Sequence, residues 1–238
     1  MDLSSPAPIP ASTSMSKSQQ VYDLLHKKIT MLEFKPGEPL SEPRLMSEFG
    51  VGRTPLREAI QRLIMQGLVI AYPRQAPTVA PVQAGEVAQI VEMRTVLEVA
   101  TVRLAAQRAT KEDIQRLSAA SDEYARATEE GDPIAIVMAD AAFHQGIAEA
   151  THNRYLSQTV AWNRDFGCRL WCMSIKLGGS MHADGYKHGP IIELIARRDA
   201  DAAEAAIRQH IGLMHQRLNA LLNGETALDT NIREMNQT

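Results

Sequence analysis

The sequence predicts a mainly α-helical protein with an N-terminal winged helix-turn-helix followed by an all-helical bundle. Three observations lead to this prediction. Ala, Leu and Ile abound while aromatic residues make up only 5% of the chain, a composition that favours packed helices over a β-sandwich. A glycine-bounded turn joins two short amphipathic segments near residue 50. From residue 84 onward, apolar residues recur at helical spacing through six consecutive segments.

The predicted domain boundaries follow changes in composition along the 238 residues. A Ser/Pro/Ala-rich leader at 1–16 lacks the basic and apolar regions of a secretion signal. We expect a first domain at 17–82, an all-helical second domain at 84–223, and a tail at 224–238. The chain holds two cysteines and no apolar run near the roughly 18 residues of a membrane span, so a cytoplasmic protein with no membrane partner is predicted.

Charge is distributed unevenly between the two parts. Residues 17–82 hold nine Lys/Arg and six Asp/Glu, a net charge of +3, and since the chain carries −3 the remainder carries −6. A basic unit followed by an acidic one indicates that the first unit binds a polyanion.

The first unit contains three predicted helices and a β-hairpin. An apolar stripe predicts a helix over 17–32, and a short helix follows that ends at Gly50. Thr54 is the predicted N-cap of the next helix, with Pro55 at its first position. Two β-prone runs at 68–72 and 78–82 flank a basic turn at 73–77, which is the pattern of a wing.

Two arginines, Arg53 and Arg57, stand at the start of the third helix, where the helix dipole disfavours positive charge. A helix N-terminus placed in a DNA groove would give them phosphate and guanine acceptors. The alternative is that they form surface ion pairs with Glu48 or Glu58.

The segment GEPLSEPRLMSEFGVGRTPLREAIQRLIMQGLV resembles the N-terminal domain of GntR-family transcriptional regulators. The resemblance implies a double-stranded DNA operator as partner, contacted by Arg44, Arg53, Thr54, Arg57, Arg74 and Gln75. Three departures from the family pattern concern Gly52 in place of the usual Ser, Pro43 where an Arg is common, and RQAP in the wing in place of Arg-Gly.

The second unit is read as amphipathic helices at about 84–107, 111–129, 133–150, 153–176, 183–197 and 200–223. Asp140 and His144 are four residues apart and project from one helical face. His188 starts the fifth of these helices and His210 lies midway along the sixth. If the three helices converge, one carboxylate and three imidazoles suit zinc or another borderline divalent ion. A D-x-x-x-H pair can equally be a hydrogen-bonded pair or part of a solvated face.

The segments EMRTVLEVATVRLAA, DAAFHQGIAEATHNRYL and HGPIIELIARRDADAAEAAIRQHI resemble the FCD ligand-binding domain of the FadR subfamily. Many of its members hold a metal with one Asp and three His. The resemblance therefore implies a divalent metal, most often zinc with nickel or manganese as alternatives, at Asp140, His144, His188 and His210. His182 is the rival for the role of His188.

The resemblance also implies an effector cavity beside the metal, for a small organic acid. Arg94 can face this cavity or form an ion pair with Glu98, and Asn163 and Arg169 lie on the helix that would close it. Cys168 and Cys172, four residues apart, are interpreted as buried small hydrophobes rather than a redox or metal-binding pair.

We therefore expect a homodimeric, ligand-responsive transcriptional regulator, a repressor rather than an activator, and no enzymatic activity. Two alternatives come from other classes. An Asp/His₃ ion can activate water, which would make the protein a metal-dependent enzyme. The ion could also be the signal itself, in a dedicated metal sensor.

Overall fold

A computed structural model describes residues 15–82, 85–176 and 187–223. Their contacts divide them into two compact units, one ending at Val82 and the other following it. The first unit contains α1 (Lys17–Thr30), α2 (Glu42–Phe49), α3 (Arg53–Met65), β1 (Val69–Ile70) and β2 (Thr78–Val79). The second contains α4 (Glu86–Arg108), α5 (Lys111–Glu130), α6 (Pro133–Glu149), α7 (Arg154–Lys176), α8 (Gly189–Ala196) and α9 (Ala200–Asn223). This is the predicted fold class.

The core of the first unit lies mainly between α1 and α3, with α2 packed on α3. Leu25 and Ile29 of α1 and Leu56 and Leu63 of α3 are fully buried. Full burial of such side chains contributes about 1.5–3 kcal/mol each, so this contact holds the helix-turn-helix together.

The turn between α2 and α3 differs in one detail from the prediction. Gly50 ends α2 in the left-handed region, with φ of 63°, as expected. The N-cap of α3 is Gly52, not Thr54, and no side chain caps this end of the helix. Because helical geometry already begins at Arg53, Thr54 lies inside the helix and does not cap it. Its side chain is exposed.

The predicted wing is present but its strands are shorter than 68–72 and 78–82. β1 and β2 pair antiparallel with Val69 opposite Val79. Pro73, Pro77 and Pro81 lack the N–H needed to extend the ladder. On its other side, β2 pairs with the segment 38–40, since the N–H of Val79 donates to the Glu38 carbonyl and that of Leu40 to the Pro77 carbonyl. The sequence pattern did not reveal this third segment.

In the second unit, α4 packs against α9, α7, α6 and α8, and α5 packs against α6 and α8. Capping residues set the boundaries. Thr110 and Asp113 form a reciprocal capping box at the start of α5. Asp132 accepts hydrogen bonds from two backbone N–H groups at the start of α6, where Pro133 follows it.

One predicted helix, 183–197, is wrong at its start. Residues 187 and 188 are not helical, and α8 begins only at Gly189, with Pro190 in its first turn. His188 is its N-cap. Proline suits the first turn of a helix and disfavours helical geometry in the residue before it, which places the start here.

The predicted leader and tail lie almost wholly outside the described residues. Ser16, the last residue of the leader, caps α1 by accepting a hydrogen bond from the N–H of Gln19. None of the described helices combines the length and the apolar character that crossing a lipid bilayer requires.

Candidate functional site

Four side chains from three helices meet in the interior of the second unit. α6 supplies Asp140 and His144 from one face, His188 stands at the N-cap of α8, and His210 lies on α9. Each offers one ligand atom, and these four atoms all lie within 4.8 Å of one another. The three imidazoles are buried and the Asp140 side chain is 13% exposed. The predicted convergence is therefore present.

The shorter distances between these atoms are close to those between the ligands of a single ion. Asp140 Oδ1 lies 3.5 Å from His144 Nε2, 3.3 Å from His188 Nε2 and 3.8 Å from His210 Nε2. The Nε2 atoms of His144 and His210 are 3.1 Å apart. With bonds of about 2.0–2.1 Å to zinc, neighbouring ligand atoms stand about 2.8–3.0 Å apart in octahedral geometry and about 3.3–3.4 Å apart in tetrahedral geometry.

His188 provides the test of whether a metal fits. Its ring is buried and stacked on Phe143, with centroids 3.8 Å apart, and Tyr124 packs on it at 4.7 Å. Among the described residues, neither ring nitrogen has a hydrogen-bond partner, although Nε2 is close to the Asp140 carboxylate. A buried imidazole without hydrogen bonds is costly unless a ligand satisfies it. The four residues thus could hold a metal ion.

Glu98 of α4 lies beside one of these ligands. Its Oε2 lies 2.7 Å from His144 Nδ1, and its Oε1 accepts a hydrogen bond of 2.6 Å from Arg94 Nε. A carboxylate at Nδ1 keeps the proton there and directs the lone pair of Nε2 to the metal position. Sequence reasoning saw Glu98 only as the ion-pair partner of Arg94. Its place one turn after Arg94 on the buried face of α4 was the available signal.

Electrostatics keep the carboxylates charged in this interior. Burial by itself raises the pKa of Asp140, but the neighbouring rings of His144, His188 and His210 hold that pKa well below its usual value. Burial likewise opposes ionisation of Glu98, yet Arg94 and His144 lower its pKa to about 2.

The three histidines of the cluster differ in the direction of their pKa shifts. Burial lowers the pKa of His210 to about 4 and that of His188 below its usual value. For His144 burial has the same effect, but the Glu98 carboxylate overcomes it and raises the pKa. Neutral imidazoles at His188 and His210 are the form that binds a metal.

A cavity opens beside the cluster, between α4, α6 and α7. Its lining includes Asp140 and His144 together with Arg94, which makes the ion pair with Glu98 and also places Nη2 3.7 Å from Asp140 Oδ2. Arg94 therefore both faces the cavity and forms the ion pair with Glu98, the two roles that the sequence left open. Asn163 also lines the cavity.

Arg169 is not among the cavity-lining residues. It is buried, with 2% exposure, and burial lowers its pKa to about 10. Instead Arg164, which sequence reasoning missed, reaches the cavity. The available signal was spacing, since α7 lines the cavity with a stripe at helical period: Val160, Asn163, Arg164, Gly167, Cys168 and Trp171.

Cys168 and Cys172 are buried, and burial raises the pKa of their thiols to about 12 and about 11, which matches the interpretation as small apolar side chains. His152 lies outside the cluster and contacts Asp113 at 2.9 Å. His182, the rival ligand, lies outside the described residues.

In the first unit, Arg53, Thr54 and Arg57 are exposed along the start of α3. Ion pairing with an acid does occur, but with Glu42 of α2 rather than Glu48 or Glu58. Arg57 Nε donates to both Glu42 oxygens at 2.9 and 3.1 Å, and Arg53 Nε lies 3.9 Å away. The arginine side chains remain 60–65% exposed, so both guanidinium groups face solvent.

The other predicted DNA contacts are also exposed. Arg44 lies within 3.6–3.8 Å of Glu38 and Glu48, with a side chain 64% exposed. Arg74 occupies the third position of the wing turn, with φ of 65°, and the turn closes by a hydrogen bond from the Gln75 N–H to the Tyr72 carbonyl. This position favours glycine, so Arg74 is held there at a cost in backbone strain.

Comparison with known proteins agrees with this architecture. Residues 17–79 match the family described as bacterial regulatory proteins, gntR family, and residues 89–213 match the FCD domain. An uncharacterized HTH-type transcriptional regulator YdhC of Bacillus subtilis is 29% identical over 194 residues, covering 80% of this chain and 86% of that protein. The HTH-type transcriptional repressor NanR of Cronobacter sakazakii is 28% identical over 225 residues, covering 86% of each.

A solved structure shares the fold. Escherichia coli McbR/YncC superposes with a TM-score of 0.76 at 20% identity, covering 88% of this chain and 99% of that one. The curated relatives named here are transcriptional regulators rather than enzymes. With a GntR-type winged helix at its N-terminus and an FCD match over more than half of its length, this chain belongs to the FadR-like, FCD-containing subfamily of GntR transcriptional regulators.

Proposed function

We propose that this protein is a metal-containing repressor that leaves its operator when a small organic acid binds in the second unit. One observation carries the proposal: the Asp140/His cluster opens onto a cavity that also presents the Arg94 guanidinium. A divalent ion beside a guanidinium is a site for carboxylate oxygens. Relatives described as repressors, such as NanR, favour repression over activation.

The DNA contacts are proposed at the start of α3 and at the wing. Arg53, Thr54 and Arg57 would enter the major groove, where Arg can fork to guanine O6 and N7. Arg44 and the wing residues Arg74 and Gln75 would bind phosphates or the adjacent groove. A single winged helix buries too little surface for genomic specificity, so we propose a homodimer on a near-palindromic operator in the bacterial cytoplasm.

The metal is proposed to be zinc, held by Asp140, His144, His188 and His210. One carboxylate and three imidazoles form a borderline donor set that zinc accepts readily. When bound, the ion would supply positive charge that attracts an anionic oxygen. Glu98 orients the His144 ring, and Arg94 provides hydrogen-bond donors beside Asp140.

Regulation requires that the acid bind the DNA-incompetent state more tightly than the DNA-competent one, because a ligand with equal affinity for both shifts nothing. The effector residues proposed are Arg94 and Asn163 at the cavity, with Arg169 buried on the same helix as Asn163.

The test combines composition with DNA binding. The protein is purified without added metal, its metal content is measured by elemental analysis, and small molecules released on denaturation are identified by mass spectrometry. Operator affinity is then measured with and without the identified acid. About one metal per chain and weaker operator binding with acid are expected; absence of metal after growth in zinc-supplemented medium contradicts the proposal. Consumption of the acid would indicate an enzyme, and a response to metal alone a sensor.

A further inference from the structure

We infer that the effector is a small dicarboxylate, with one carboxylate at the Asp140/His cluster and the other at Asn163 and Arg164 on α7. The inference rests on the proposed function and adds to it the chemical class of the ligand. It follows from three features of the cavity wall formed by α7.

The first feature is an unpartnered amide. Asn163 is 4% exposed and lines the cavity, yet its Nδ2 has no hydrogen-bond acceptor among the described residues. Buried amide groups are normally hydrogen-bonded, because leaving a donor unsatisfied costs the desolvation of that group. An acceptor oxygen brought by a ligand satisfies this donor.

The second feature is the guanidinium next to it. Arg164 lines the same cavity, and its contact within the described residues is a long one, 3.4 Å from Nη2 to Asp165 Oδ1. A guanidinium has five N–H donors, so most of them stay available to a second acceptor. Arg94 differs because Glu98 and Asp140 already engage it. An amide donor and a guanidinium that line the same cavity can together bind the two oxygens of a carboxylate.

The third feature is the space between the Asp140/His cluster and the two polar residues on α7. Gly167 lines the cavity one turn after Asn163 and Arg164, and a Cβ added there would meet nothing within 4 Å. Val137, Val160 and Trp171 form apolar wall around this space. The valine side chains offer no hydrogen bonds to hydroxyl groups and an indole offers one donor at most, so this wall suits a short hydrocarbon chain better than a polyhydroxylated sugar acid.

The experiment compares acids of equal length on the metal-loaded, full-length protein by calorimetry. The probes are succinate against butyrate and succinamate, and glutarate against valerate, with gluconate as the hydroxylated acid. The dicarboxylates should bind at least about tenfold more tightly than their matched monocarboxylates, the effect of one charge-assisted pair. Equal affinities, tighter binding of gluconate, or no binding of either dicarboxylate would overturn the inference.

Variants of the cavity residues test which side chains provide the preference for dicarboxylates. Arg164→Gln and Asn163→Ala should each remove most of the preference for dicarboxylate while the metal content stays at that of the parent protein. Gly167→Leu should abolish binding of both acids without loss of metal, since leucine fills the space and favours the helix more than glycine does. Gly212→Leu is the matched control, because a Cβ there also meets nothing within 4 Å but the residue is not in the cavity lining.

The outcomes separate this inference from the proposed function. Protein that contains no metal contradicts the proposed function itself. Protein that holds metal and binds monocarboxylates and dicarboxylates alike keeps the proposed function and overturns only the dicarboxylate inference. Unchanged selectivity in Arg164→Gln and Asn163→Ala would also overturn it.

Discussion

The proposed DNA binding and the proposed metal binding each depend on single residues. A substitution that removes one of these activities should leave the other intact. Arg57 presents its guanidinium to solvent from the start of α3 while Glu42 holds its Nε. This anchor leaves the terminal nitrogens of the side chain for an acceptor. The carboxylate also offsets the repulsion between the arginines and the helix dipole.

Arg57→Ala is expected to cost about 1–3 kcal/mol in binding to the operator, with a smaller loss on random DNA, if this side chain reads a base. Competition binding at fixed salt measures both affinities. Arg197→Ala, an exposed arginine of the second unit, is the control and should leave both unchanged. Equal losses on operator and random DNA would show a phosphate contact instead.

His188→Ala and His210→Ala are each expected to lower the metal content and the midpoint of thermal unfolding together, because a metal bound only by the folded state adds to its stability. Elemental analysis and calorimetry provide the two measurements. His152→Ala is the control within the same unit, since it should retain metal. Full metal content in a cluster variant would remove that residue from the ligand set.

Glu98→Gln tests the orienting contact to His144. The amide keeps the shape of the side chain but removes the charge that directs the imidazole, so metal affinity should fall by roughly 10–100-fold with the fold retained. A competition titration with a chromophoric chelator measures this. An unchanged affinity would mean that Glu98 serves only the ion pair with Arg94.

At the scale of elements, capping residues decide where the helices of the second unit begin. Asp113 is buried at the start of α5, where it accepts a hydrogen bond from the Thr110 N–H and contacts His152 and Arg116. Burial alone raises its pKa, but the hydrogen bonds from Thr110 and the neighbouring His152 and Arg116 lower it overall.

Asp113→Asn should therefore destabilise the protein by about 0.5–2 kcal/mol near pH 6, the usual cost of a lost cap. A carboxyl with a lowered pKa stabilises the folded state above its unfolded pKa of about 3.9 and loses this effect as the pH falls through the folded value. The difference from the parent protein should thus shrink below about pH 4 in urea unfolding. Asp122→Asn, exposed on the same helix, should show little difference at any pH.

At the scale of the whole molecule, the chain forms two units with separate cores, and the candidate metal site lies wholly within the second. Calorimetry should accordingly show two unfolding transitions. A chelator should lower the midpoint temperature of the second unit's transition only. The lost free energy of unfolding should be about 4 kcal/mol if the free metal had been a thousandfold above its dissociation constant. The His144→Ala protein should not respond to chelator. A shift of both transitions in the parent protein would contradict this assignment.

Local patterns along the chain were enough to predict the fold class, because helical periodicity, glycines and capping residues act within a few residues of one another. The helix-turn-helix, the short wing and five of the six helices of the second unit follow from them. The convergence of Asp140 and His144 on one face is also local, since helical geometry places residues four apart together.

Tertiary structure decided the rest. Packing of α4 against α6 and α9 places Glu98 beside His144 and makes Arg94 both an ion-pair partner and a cavity residue. The pairing of residues 38–40 with β2 and the contact of Glu42 with Arg57 join segments far apart in the chain. Such contacts depend on how helices and strands dock, and docking is governed by the shape and burial of whole surfaces rather than by the spacing of residues within one segment.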